Sequence, residues 1–180
     1  MKKNVSILLI VSCILIIFTS ILFAEEIKFT FQNEPNGFRG LKWGDTPTED
    51  MIYLGEVSYA ENIYYREGDK LSIGSAKLDE IRYKFNFYSY QFYEVFANFS
   101  SEIDYRILKI TYEGRFGKPT YTREEKNSYF QQWIGNKAEI RLYYNFKEYY
   151  GWFWIASMKI HRETPEENKQ KEVEKAEEDF

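Results

Sequence analysis

Few side chains in this sequence could do chemistry, and each has a plain alternative. His161 is the only histidine, at the end of the last predicted strand beside Lys159 and Arg162. A Ser-His-Asp relay would have to run through it. The chain has no G-x-S-x-G elbow, so His161 reads as a surface residue. The only cysteine, Cys13, lies in the N-terminal apolar run. Thiolate zinc sites and cysteine nucleophiles are therefore not expected in the rest of the chain. No H-E-x-x-H, D-x-D-x-D-G or G-x-x-x-x-G-K-[ST] pattern is present, so no metal and no cofactor are expected. The glycines of Gly37-Phe38-Arg39-Gly40-Leu41-Lys42-Trp43-Gly44 read as backbone geometry. A glycosidase needs only two carboxylates flanking a cleft, and the 28 acidic residues leave that reading open. Acidic pairs such as Asp79-Glu80 and Glu124-Glu125 read as solvated.

Aromatic residues make up 19% of the chain, and they carry the other kind of site. Most serve strands, where they pair across neighbours. The exposed candidates are Tyr149, Tyr150, Trp152 and Trp154. They fall in and beside a predicted loop with few polar neighbours, where they would form an interaction patch. Two functional readings follow. The first is a non-enzymatic domain binding an envelope protein or polysaccharide through an aromatic sheet surface. The second is a small hydrolase acting on envelope polysaccharide with paired carboxylates.

The N-terminus points to the envelope. Lys2 and Lys3 precede the uncharged run Val5–Ala24, and the chain turns polar at Glu25-Glu26. A basic start, an apolar core and a small residue at the junction form a secretory signal peptide cut after Ala24. Two alternatives stay open. The run is long enough to be an uncleaved inner-membrane anchor with the domain outside the cytoplasm. Ile10-Val11-Ser12-Cys13 also has lipobox form, with Cys13 as the lipidated residue. Membrane contact is expected only in those two cases.

Without residues 1–24 the chain keeps about 156 residues, enough for one domain with a real core. It then holds 24 basic side chains less Lys2 and Lys3, against 28 acidic ones, a net charge near −6. That balance argues against nucleic acid, which needs a basic surface. A cysteine-free exported domain must also rely on its core rather than on disulfides.

The elements expected to position these residues form one α+β domain. Residues 25–36 are a lead-in in which Ile27, Phe29 and Phe31 alternate as an edge strand. The domain proper spans 37–162. It begins with a short strand through Phe38, Leu41 and Trp43, followed by a short helix capped by Asp45 or Thr46, with Pro47 in its first turn and Gly55 at its end. Strands are expected at Asn62–Glu67, at Leu71–Leu78 (broken near Gly74), at Ile81–Phe87 and at Gln91–Phe99. Ile81, Tyr83, Phe85 and Phe87 alternate with Arg82, Lys84 and Asn86, the period-two mark of a half-buried strand. Ser100 or Ser101 caps the main helix, whose apolar side reads as Ile103, Ile107, Leu108 and Ile110. Phe116-Gly117-Lys118-Pro119 stops it. Tyr129–Ile134, Ala138–Phe146 and Trp152–Ile160 complete a mostly antiparallel meandering sheet. Residues 163–180, with eight acids and three lysines, form an acidic tail that is a solvated helix or disordered. It reads as a solubilising tail, or as a contact arm for a basic partner.

The segment GFRGLKWGDTPTEDM resembles a group of uncharacterised exported proteins of Gram-negative bacteria. They share a signal peptide and a G-F-R-G-[IL]-x-W-G segment. The likeness continues in Gly68-Asp69-Lys70-Leu71-Ser72-Ile73-Gly74, in Phe116-Gly117-Lys118-Pro119, and in Trp133-Ile134-Gly135 through Ile140, Leu142 and Tyr144. It covers roughly residues 37–160. It implies a periplasmic or envelope location, with no catalytic residues to carry over. The helix-then-G-x-P-then-strands order is also faintly similar to that of small envelope-assembly lipoproteins.

Overall fold

The period-two pattern dominates the architecture. The structure is a computed structural model that describes residues 31–58, 61–162 and 165–177. Residues 1–24, with the export segment and Cys13, lie outside them, as do Glu25–Thr30 of the lead-in and the tail's Thr164. In chain order the elements are β1 (Gly37–Phe38), β2 (Leu41–Lys42), β3 (Met51–Ser58), β4 (Glu61–Arg66), β5 (Ser72–Ile73), β6 (Ala76–Lys77), β7 (Glu80–Asn86) and β8 (Phe92–Phe99). After them come α1 (Glu102–Phe116), β9 (Tyr121–Glu125), β10 (Ser128–Ile134), β11 (Ala138–Asn145), β12 (Tyr150–Ser157), α2 (Met158–His161) and α3 (Pro165–Glu177).

Eight strands form one antiparallel sheet in the order β3-β4-β7-β8-β12-β11-β10-β9. Each half of the chain contributes a four-stranded meander, and the last strands of the two, β8 and β12, pair at the centre. The expectation of an α+β domain with one main helix and a short N-terminal helix is corrected. The protein is mostly β, 46% strand and 21% helical, with short helices. The N-terminal helix is absent because its signals serve other contacts. The Asp45 side chain accepts the N–H of Lys42 at 2.7 Å. The backbones of Gly44 and Asp45 bond to Phe92 in β8. Met51, Ile52 and Leu54 lie on edge strand β3, whose ladder with β4 takes precedence over a local helical preference.

Other boundaries shift for related reasons. Phe31 lies in irregular chain and packs on Phe116 at 5.7 Å. Leu71–Leu78 is not a strand of the main sheet: β5 and β6 form a separate small hairpin. β9, which the sequence pattern does not reveal, is exposed along its whole length and takes its place by pairing with β10. Met158 belongs to α2, after the strand has ended. α3 is a polar helix in the tail.

One face of the sheet carries the core. Tyr83, Phe85, Val95, Phe99, Trp133, Ile140, Leu142, Tyr144 and Phe153 are each fully buried. α1 covers this face through Tyr105, Leu108, Tyr112 and Phe116. Of the apolar side expected to do so, Leu108 is fully buried and Ile107 packs against the core, whereas Ile103 and Ile110 are turned away, each 70% exposed. The Ser101 side chain accepts the N–H groups of Ile103 and Asp104 and caps the helix. At the other end, the N–H of Gly117 (φ 82°) closes onto the Glu113 carbonyl. Ser101→Ala is expected to cost about 1 kcal/mol, read as a shift in the urea midpoint with unchanged slope.

Among the described residues no helix is long and apolar enough to cross a membrane.

Candidate functional site

The opposite face of the sheet holds a continuous band of rings and guanidinium groups. It is built from the alternate positions of β7 to β12. Trp152 lies directly opposite Asn98 on one side and Tyr143 on the other. Tyr143 lies opposite Phe130, and Phe130 opposite Arg123. In the adjacent row Trp154 lies opposite Phe96 and Arg141, and Arg141 opposite Gln132. Trp152 is the hub: its ring stacks on Tyr143 at 5.5 Å and on Phe96 at 6.1 Å, and meets Phe130 edge-on at 6.4 Å. Tyr121 extends the band at 6.2 Å from Phe130. Phe96, Phe130, Tyr143 and Trp152 remain partly open to solvent.

The arginines are held in place by a repeated device. Arg82 pairs with Glu80, Arg123 with Glu125 and Arg141 with Glu139. Each pair is two residues apart on one strand, which places both members on the same face. The Arg141 guanidinium lies 4.4 Å from the Trp154 ring centre, and that of Arg123 5.9 Å from Phe130. Such contacts favour a stacked, preorganised cation.

Of the four aromatics singled out from sequence, Tyr150, Trp152 and Trp154 share this face by alternation along β12. Tyr150 is 39% exposed, whereas Trp154 is 8% exposed, covered by Arg141 and by His161, whose ring is 5.3 Å away. Tyr149 sits in the β11–β12 turn with φ 51° and is 66% exposed. Phe96, Phe130, Tyr143, Arg123 and Arg141 were not singled out. For Phe96, Tyr143 and Arg141 the signal was available in principle, as alternate residues on the strands that flank β12, whereas Phe130 and Arg123 lie further out, on β10 and β9.

Polar groups gather at one end of the band. Glu94, 2% exposed, receives Lys84 Nζ at 2.8 Å and lies 3.8 Å from His161 Nδ1. Lys84 also reaches Glu61 at 3.3 Å, and the Tyr93 hydroxyl donates to Glu61 at 3.0 Å. Burial, reinforced by Glu94 and Glu61, pushes the Tyr93 hydroxyl far above its ordinary pKa. Among the described residues Glu139 is the other buried carboxylate, 5% exposed. Glu94 and Glu139 flank Ala156 across β12, and each is taken up by its own cation. Among the described residues no cluster of three or more His, Cys, Asp or Glu side chains is placed to hold a metal ion.

No family model, no curated protein and no solved structure matches this chain. The functional reading therefore rests on the sequence and on this surface.

Proposed function

We propose that this chain is an exported envelope domain that binds a protein or polysaccharide partner on the open aromatic face of its sheet, without catalysing a reaction. The observation that carries the reading is the band of partly open rings around Trp152, flanked by Arg82, Arg123 and Arg141. A folded domain that keeps a contiguous ring surface in water forgoes its burial, and such patches mark interaction sites. Aromatic and arginine side chains also dominate interface energetics. The rings offer flat stacking area to a sugar ring or an apolar side chain. The arginines offer forked donors to a carboxylate or a carbonyl. The apolar run Val5–Ala24 and the likeness of Gly37–Gly44 to exported proteins support an envelope location.

The reading weighs against the hydrolase alternative because Glu94 and Glu139 are both occupied by salt bridges. A general acid and its partner carboxylate need free access to the bond they cleave.

Trp152→Ala is expected to weaken binding to an envelope fraction by at least about tenfold, the effect of losing one interface anchor of about 1.4 kcal/mol. Because Trp152 is only half-buried, the melting temperature should fall much less than for a core substitution. The measurement is co-sedimentation of the purified chain with separated envelope proteins and polysaccharide, wild type against variant. Equal retention of both would overturn the assignment of the face.

A further inference from the structure

A cavity of about 630 Å³ opens at the end of the sheet where the β7–β8 turn, the β10–β11 turn and the end of β12 meet, with α3 along one side. That volume lies within the roughly 300–1,000 Å³ of small-molecule sites. Among the described residues none that line it is acidic, whereas Lys137, Lys159, Lys171 and Lys175 all do. Trp152 and the rings around it take no part in the lining.

The rim is fixed by bonds the chain makes to itself. The Glu34 carboxylate accepts the N–H groups of Asn136, Lys137 and Ala138, which sets the β10–β11 turn and commits Glu34 to backbone donors. Asn86 Oδ1 accepts the N–H groups of Tyr88 and Ser89 and shapes the β7–β8 turn. The Ser157 hydroxyl accepts the Ile160 N–H at 3.4 Å and starts α2, which carries Lys159. Lys171 and Lys175 stand four residues apart on α3, on one side of that helix.

The chemistry of the lining is one-sided. Lys137 and Lys159 are exposed, and among the described residues no carboxylate pairs with either. Like charges around one space repel, and an anion between them relieves that repulsion. Among the described residues the side-chain amides of Asn36 and Asn136, both in the lining, make no hydrogen bond. Ser89 donates to Gln91 Oε1 at 3.2 Å, which leaves the Gln91 amide hydrogens for a guest. An amide donates and accepts, as a sugar hydroxyl does. Trp43 gives its indole N–H to the Pro35 carbonyl at 2.9 Å and stacks one ring face on Phe92 at 4.9 Å. It therefore offers the cavity ring carbon rather than a donor. We propose that this cavity binds a small phosphorylated sugar. Lys137 and Lys159 meet the phosphate as point charges, the amides bond the hydroxyls, and the Trp43 ring packs on the sugar's C–H groups.

Glucose 1-phosphate is the probe, with glucose and inorganic phosphate as controls, each titrated calorimetrically into the purified chain at low salt. Glucose 1-phosphate is expected to bind at least about tenfold more tightly than either control, because it alone engages both kinds of group. Lys137→Gln and Lys159→Gln, at exposed positions, should each weaken it at least about threefold with the melting temperature unchanged. Lys147→Gln, in the β11–β12 turn at the other end of the sheet, should bind as wild type, which sets a local site apart from an effect of net charge. Trp152→Ala should also bind as wild type, which separates this cavity from the aromatic face. Inorganic phosphate or glucose binding as tightly as the probe, undiminished binding in both Lys137→Gln and Lys159→Gln, an equal loss in Lys147→Gln, a loss in Trp152→Ala, or no binding of the probe would each overturn the proposal.

Discussion

Trp133→Ala is expected to remove about 3–5 kcal/mol of stability, lowering the melting temperature by roughly 10 °C for a domain of this size. Trp133 is fully buried and is the largest such side chain among the described residues. Its ring meets Tyr112 of α1 edge-on at 6.0 Å. Its indole N–H donates to the Gly117 carbonyl at 2.8 Å, where the helix ends. One residue of β10 therefore fastens the C-terminal end of α1 to the sheet. Truncation leaves a cavity beneath the helix and an unpaired carbonyl at its stop. Trp133→Phe goes far to separate the two contributions, since it keeps most of the packing but loses the hydrogen bond. Its expected cost is about 1–2 kcal/mol. Chemical denaturation of the three proteins checks the order. A Trp133→Ala loss no larger than that of Trp133→Phe would show that the ring fills no essential space.

Lys84→Met is expected to cost about 3 kcal/mol at neutral pH. Removing one partner of a buried pair costs about 3–5 kcal/mol because the other charge is left uncompensated. The lower end applies because the Lys84 side chain keeps 22% of its exposure, while Glu94 keeps 3%. A second substitution, Glu94→Leu, should restore much of the loss, since the stranded charge is then gone. Alkaline pH provides an independent readout. Burial works against the Lys84 ammonium, but Glu94 and Glu61 outweigh it and hold its pKa above the ordinary lysine value. A group whose pKa is raised on folding stabilises fully below its unfolded pKa, about 10.4. That contribution fades as pH climbs through the higher folded value. Wild type should thus lose stability at strongly alkaline pH by an increment that Lys84→Met lacks. Parallel denaturation curves from pH 7 to the alkaline limit would show it; identical alkaline losses would contradict the pairing.

The legible parts of the fold were those whose signal is local. Ile81, Tyr83 and Phe85 alternate with polar partners and are buried together on β7. Ala138, Ile140, Leu142 and Tyr144 do the same on β11. Ser101 and Gly117 mark the ends of α1 as their chemistry requires. The misread parts were those where a local signal competes with distant pairing. Asp45, Thr46 and Pro47 have helix-start chemistry, yet the contacts of Gly44 and Asp45 with Phe92 decide that segment. Tyr121–Glu125 has no apolar alternation, and becomes a strand only because β10 offers it a ladder. On α1, isoleucines and aromatics form two neighbouring stripes. The larger rings of Tyr105, Tyr112 and Phe116 take the core and leave Ile103 and Ile110 outside.

The candidate surface divides in the same way. Period two alone puts Trp152 and Trp154 on one side of β12 and Phe153 and Ile155 on the other. It cannot say which side is covered, because both are apolar. That choice belongs to α1, which packs on the Phe153 side. Nor could spacing along one strand bring Phe96, Phe130 and Tyr143 around Trp152, because they come from three other strands whose register is fixed by long-range hydrogen bonding. The sequence alone established an aromatic-rich chain with alternating strands, a well-capped helix and no thiol beyond Cys13. The tertiary structure decided that those strands join in a single eight-stranded sheet, that its second face stays open, and that Lys137 and Lys159 line one cavity. Local composition and periodicity act over a few residues, whereas register, coverage and the lining of a cavity are properties of contacts between distant segments.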